Sequence, residues 1–228
     1  MQIKKGLNKL VDRVEKMNIY IIFAIILFVQ IVFMLYYCNM KQGFFVDEIW
    51  SYGLSNSYYH AQIWEDNGLE NVKIDPEMFK SYLTVNKGEE FSYGSVIYNQ
   101  THDAHPPLFY LVLHTISSFF PGQFSKWFGL IPNIFYFAIS MFLLLKIVRC
   151  ISKNNIFNIA VLTFYGFSIG AVNSVTFVRM YMLLTMWCLM FLLQNIRLYQ
   201  EQRQSLRNMI LLAIATCGGM YTQFFFII

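Results

Sequence analysis

The residues of this chain whose types could do chemistry fall in three short stretches. Asp47 and Glu48 sit in Phe44-Phe45-Val46-Asp47-Glu48-Ile49-Trp50. Asp103, His105 and Tyr110 sit in Asp103-Ala104-His105-Pro106-Pro107-Leu108-Phe109-Tyr110, and Arg179 and Tyr181 in Arg179-Met180-Tyr181. A carboxylate such as Asp47 can act as a general base, taking the proton of an attacking hydroxyl. It can equally start a helix, where the dipole and free amides favour negative charge and a cap is worth about 1 kcal/mol. Spacing alone favours the cap. His102, Asp103 and His105 are of the types that hold a metal or a phosphate, while Pro106-Pro107 also reads as a rigid entry into a helix. Arg179 can grip a phosphate through two parallel hydrogen bonds or simply snorkel to headgroups. Tyr181 fits an aromatic belt at a membrane boundary.

What must position these residues is a membrane. The chain has 228 residues, 57% hydrophobic and only 13% charged, against roughly 25% charged in an average soluble domain. That balance points to a polytopic membrane protein of the all-α class. The net charge of +4 does not suggest nucleic acid, because the bases cluster beside apolar runs, where they orient a membrane protein. Four cysteines, Cys38, Cys150, Cys188 and Cys217, show neither metal nor disulfide spacing and read as buried thiols.

Taken in order, residues 1–17 form a basic, cytoplasmic amino terminus with Lys4, Lys5, Lys9, Arg13 and Lys16. The apolar run after it is too long for a signal-peptide core and lacks a cleavage site, so it stays as an anchor. The first span covers 18–38, with Gln30 its one strongly polar interior residue. Residues 39–126 form an outer loop holding ten of the thirteen acidic residues between Lys41 and His105. Within it Asn67-Gly68 is a turn signal, and Asp75-Pro76-Glu77 predicts a helix start, with Asp as N-cap and Pro at the first position. Asn99-Gln100-Thr101 matches a glycosylation sequon, a tripeptide too common to carry weight.

Residues 107–120 are apolar but short. As a helix, Leu108 to Phe120 covers only about 20 Å against a hydrocarbon core of roughly 30 Å, and prolines bracket it. It is placed as a helix at the outer interface. With that segment not crossing, spans at 127–148, 156–175 and 181–197 leave Lys146, Arg149, Lys153, Arg197, Arg203 and Arg207 in the cytoplasm, as the positive-inside tendency requires. A fifth span covers 208–228, and its apolar end, Phe224 to Ile228, reads as the interior of a longer protein. All the unusual polar residues then gather on the outer face.

Their order resembles the GT-C glycosyltransferases, in particular the family 39, protein mannosyltransferase and aminoarabinose-transferase-like branch of bacteria. The matching residues are Asp47-Glu48 after the first span, Asp103 with His105-Pro106-Pro107-Leu108-Phe109-Tyr110, and Arg179-Met180-Tyr181. Tyr221-Thr222-Gln223-Phe224 is similar to the family's Tyr-Thr-His-Tyr stretch, with Gln223 and Phe224 replacing the last two residues. The resemblance implies an inverting transferase in the plasma membrane that moves a sugar from a polyprenyl-phosphate donor to an acceptor hydroxyl on the non-cytoplasmic face. It implies Asp47 and Glu48 as catalytic residues, Asp47 being the base. His105 and Arg179, with Tyr181, Tyr110 and Asp103, would bind substrate. Relatives carry an acidic residue just before Arg-x-Tyr where this chain has Thr176, Phe177 and Val178. That departure leaves a divalent metal open, with Asp103 and His105 its candidate ligands, and predicts only a weak dependence on divalent cations. The alternatives are a transporter or flippase for a lipid-linked saccharide and an inactive remnant. A transporter needs ionisable groups at mid-membrane, and these spans are nearly free of charge.

Overall fold

The computed structural model describes residues 13–63, 73–200 and 205–227, all helical or irregular with no strand among them. Most of the basic amino terminus, the Asn67-Gly68 turn, Arg203 and Ile228 lie outside the described residues. Helix α1, Ile19–Met40, is capped by Asn18, whose side chain accepts the Tyr20 N–H. Its 22 residues span about 33 Å at 1.5 Å each. Helix α2, Val46–Asn56, carries the acidic pair, and α3, Pro76–Leu83, begins as the Asp-Pro-Glu sequence predicts, with Asp75 accepting the Glu77 N–H at 3.0 Å. Helices α4, Tyr93–Thr101, and α5, Leu108–Ser118, complete the outer layer.

The apolar layer follows as α6, Trp127–Ile151; α7, Asn155–Gly166; α8, Ile169–Thr176; α9, Tyr181–Gln200; and α10, Leu206–Thr222; a 3-10 turn at Phe224–Ile227 comes last. Helix α6 is its hub, packing on α1, α7, α8 and α9, while α9 also lies along α10. In the outer layer α2 is the hub, against α3, α4 and α5. Helix α5 joins the layers through α6 and α10. Its eleven residues give about 17 Å, short of a crossing.

Three helices, α1, α6 and α9, are long and apolar enough to cross a membrane, and a fourth crossing arises if α7 and α8 form one bent span. The span expected over 156–175 is present as this bent pair. Its two halves meet at 49°, because Ser168 starts a new helix by accepting the Ala171 N–H at 3.1 Å. A serine that captures amides ahead of it ends one helix as it caps the next. The break sits where Gln30, fully buried, donates to the Leu162 carbonyl at 3.0 Å. A Cβ on Gly166 would lie 2.0 Å from that amide, so only glycine admits it.

The expected fifth span over 208–228 is not among the helices long enough to cross. Helix α10 stops at Thr222, Gln223 is extended, and the Phe226 ring folds back over Gly219. Seventeen residues reach about 26 Å, short of the hydrocarbon thickness. One further expectation, that of four buried thiols, changes. Cys38 is buried, but Cys188 and Cys217 are exposed. Asn99 has no exposed surface and ties α4 to α2 through the Leu54 and Ser57 carbonyls, so it is no glycosylation acceptor in this fold.

Candidate functional site

The site grows from one loop crossing another. The turn Phe177-Val178-Arg179 between α8 and α9 passes over the start of α2, held from three sides. Asn133 of α6, buried beside Pro132, donates to the Val175 and Phe177 carbonyls at 3.1 and 2.9 Å. Gly129 lets Val178 approach so closely that a Cβ would meet its methyl at 2.1 Å. The third side is Glu48. Its Oε1 accepts the Val178 N–H at 2.7 Å, and its Oε2 accepts Lys41 Nζ at 2.8 Å and the Phe45 N–H at 2.9 Å. The carboxylate has no solvent exposure. Both oxygens clasp the backbone that carries Arg179 to the loop that leads into α2.

Asp47 is placed quite differently. It is exposed, and its side chain makes no hydrogen bond or ion pair among the described residues. The cap reading is thereby corrected: Phe45 occupies the N-cap, Asp47 lies one residue inside the first turn, and Glu48 supplies the capping contact. Asp47 faces a cavity of about 460 Å³ lined also by Lys41, Phe45, Phe177 and Tyr181. The Phe177 and Tyr181 rings stack 6.0 Å apart and 6° from parallel, with Phe45 edge-on to Phe177 at 5.7 Å.

Arg179 is buried, 6% exposed. Its NH1 donates to the Asp47 carbonyl and to the Tyr110 hydroxyl, both at 3.3 Å, and to Ser51 Oγ at 3.5 Å. Its NH2 donates to His105 Nε2 at 3.3 Å. Every one of these partners is neutral, and no carboxylate lies within ion-pair reach among the described residues. The Nε–H is buried with no hydrogen-bond partner among the described residues. Removing a cation from water without a counter-charge is expensive. A guanidinium so placed has the chemistry to hold an anion.

His105 follows from that geometry. Arginine only donates, so Nε2 accepts, and Nδ1 carries the proton it gives to Asp103 Oδ2 at 2.8 Å. Burial raises the Asp103 carboxyl, but the His105 N–H, the Ala104 amide and the charge of Arg179 together outweigh it, leaving it below its ordinary value. Burial pushes the Tyr110 phenol well above its ordinary value, against the pull of Arg179, so its O–H stays a donor. On this side a second cavity, about 470 Å³, is lined by Asp103, His105, Pro106, Met220, Tyr221 and Phe224. The Tyr-Thr-Gln-Phe stretch singled out in the sequence thus ends beside the Asp-x-His stretch.

The structure brings together Asp47, Asp103, His105, Tyr110 and Arg179, with Tyr181 on the wall of the Asp47 cavity. It does not bring in His102, which bonds the Tyr98 carbonyl and stacks on that ring. Lys41, Ser51 and the Val178 amide went unread; an arginine lacking any nearby acid in sequence is the signal that such partners are needed. A divalent metal does not fit this arrangement. Both His105 nitrogens are engaged, a guanidinium adjoins one of them, and no three His, Cys, Asp or Glu residues cluster among those described. No protein-family model matches the chain, and neither do any curated protein or solved structure.

Proposed function

We propose that this chain is a membrane glycosyltransferase of the GT-C kind, transferring a sugar with inversion from a polyprenyl-phosphate donor to an acceptor hydroxyl. The observation that supports it best is Arg179, a buried guanidinium without a counter-charge at the point where the three stretches meet. A departing phosphate needs its developing charge met in a partly dry site, and a fixed cation supplies that without reorganisation. In this reading Arg179 binds the donor phosphate, with the Tyr110 hydroxyl beside it. Asp103 fixes the His105 tautomer, so that His105 orients the guanidinium. Asp47, free of other partners and open to a cavity, takes the proton of the acceptor. Glu48 becomes a positioning residue. The amino terminus lies in the cytoplasm, and the site faces outward from the plasma membrane.

The transferase reading is tested with membranes containing the protein and a labelled polyprenyl-phosphate sugar. Hydrogen bonds from a charged group are worth about 1.5–3 kcal/mol each. Arg179→Ala is therefore expected to raise the donor KM by roughly 10- to 100-fold. Arg179→Lys should recover only part of this, because lysine keeps the charge and loses the planar fork. Donor saturation unchanged in Arg179→Ala would remove the anion seat and the reading with it.

A further inference from the structure

The cavity at Asp47 does not end at the polar boundary. It shares Lys41, Asn173 and Thr176 with an adjoining cavity of about 420 Å³ that continues between α1 and α8. One wall of this groove is Phe33, Tyr37 and Met40, which fall at i, i+4 and i+7 along one stripe of α1. The other is Phe167, Ile169 and Val172. The 49° bend between α7 and α8 opens the wedge between them, and the Phe33 ring lies 5.0 Å from Phe167 at its base. Phe33 is eight residues before Lys41, about 12 Å down the α1 axis. The groove is thus apolar at its deep end, polar only at its mouth, and walled by a helix long and apolar enough to cross a membrane.

We infer that this groove seats the acceptor, and that the acceptor is a membrane lipid with a free hydroxyl. Its hydrocarbon chain lies between α1 and α8 and its hydroxyl reaches Asp47. The inference rests on the transferase reading above and adds the acceptor class to it. A hydrocarbon chain gains about 0.8 kcal/mol for each methylene it buries, and a continuous lipid tail uses the full length of the wedge, whereas a free glycan has no apolar chain to place at membrane depth. In the step itself Asp47 takes the hydroxyl proton and the hydroxyl oxygen bonds to the anomeric carbon. The bond from that carbon to the phosphate oxygen breaks, its electron pair leaving with the polyprenyl phosphate. The donor's own tail has a separate apolar wall on the far side of Arg179, at Pro107, Met220, Tyr221 and Phe224.

The test is photolabelling of the full chain in nanodiscs with a diazirine-bearing hexadecanol, mapped by mass spectrometry. Labels are expected to concentrate at residues 33–40 and 167–176. Asn173→Trp plugs the junction of the two cavities from an exposed position, and should lower labelling by about fivefold or more, with Asn173→Ala restoring it. Excess unlabelled hexadecanol should compete, and polyprenyl phosphate should not. Competition by polyprenyl phosphate would give the groove to the donor tail and overturn the acceptor assignment. Labels spread evenly to Phe28 and Val32 on the outward face of α1, indifferent to Asn173→Trp, would reduce the groove to ordinary lipid contact and overturn it too. Labelling needs no sugar transfer. A labelled groove in a protein that transfers no sugar from a polyprenyl-phosphate donor would leave a lipid site, while ending the transferase reading and the acceptor role together.

Discussion

Asp47 and Glu48 are adjacent carboxylates, and opposite effects are expected when each is made an amide. Asp47→Asn changes an exposed side chain with no hydrogen-bond partner among the described residues. Stability then loses only the interaction of a charge with the helix amino terminus, under about 1 kcal/mol. If Asp47 is the base, transfer falls by roughly a hundredfold or more with donor affinity unchanged. Glu48→Gln keeps one acceptor oxygen and puts an NH2 where the other stood. Either the Val178 N–H or the Lys41–Phe45 pair then faces a donor, and Lys41, whose side chain is 12% exposed, loses its counter-charge. Breaking a buried pair from one side costs about 3–5 kcal/mol. At 2–4 °C per kcal/mol for a chain of this size, the melting temperature drops by roughly 6–12 °C even at the lower figure. The assay pairs thermal unfolding in detergent with transfer kinetics in membranes. Near-normal turnover in Asp47→Asn refutes the base. A Glu48→Gln protein with wild-type melting but lost turnover refutes the clasp and restores Glu48 to the chemistry.

The remaining predictions address titration, metal and sidedness. Burial holds the His114 ring below its ordinary value of 6.5, against a smaller opposing effect of the Ser55 backbone. The unfolded chain therefore takes up a proton before the folded one, and stability is lost as pH falls through 6.5 and below, by at most about 1.4 kcal/mol per pH unit; melting against pH should flatten in His114→Gln, and an unchanged slope would clear His114 of the effect. Because both His105 nitrogens are engaged, chelator treatment is expected to leave transfer essentially intact, and full loss rescued by one divalent ion would instead make Asp103 and His105 ligands. Cysteines at exposed Lys87 and Gln123 should react with an impermeant reagent from outside and one at Lys153 only from within, in a background with the exposed Cys188 and Cys217 removed; labelling of Gln123→Cys from the cytoplasmic side alone would mean that α5 crosses.

What the sequence made legible was whatever depends on local composition. Runs of apolar residues mark α1, α6 and α9, because length and hydropathy alone decide whether a helix matches a bilayer. Asp75-Pro76-Glu77 marks a helix start, because a cap is chosen within four residues. The bent pair α7 and α8 was not legible in hydropathy, since Tyr165-Gly166-Phe167-Ser168 is as apolar as its surroundings. The break is set by the Ser168 cap and by a Gln30 amide arriving from another helix, and a glutamine 132 positions earlier leaves no local trace. The end of α10 was hidden in the same way, since Phe224 to Phe226 are apolar whether they continue a helix or fold back on Gly219.

The site divides along the same line. Residue types picked out Asp47, Asp103, His105, Tyr110 and Arg179, because cations, carboxylates and imidazoles are rare in so apolar a chain. Their roles depend on which atoms they meet. Two acids in a row are equivalent in a sequence, yet successive residues of a helix project about 100° apart, so one faces the core while the next faces a cavity. The inward one must find donors for both oxygens or it would not be buried. It finds them in Lys41 and in two amides, one of them in the Arg179 turn. The outward one is left without a partner, beside an arginine whose own acceptors are all neutral. The Asp47 carboxylate and the Arg179 guanidinium, 132 positions apart in the chain, do not pair here, because Glu48, Asn133 and Gly129 fix the turn that carries Arg179. In the proposed transferase, that separation is what lets Asp47 take the acceptor proton while Arg179 holds the phosphate.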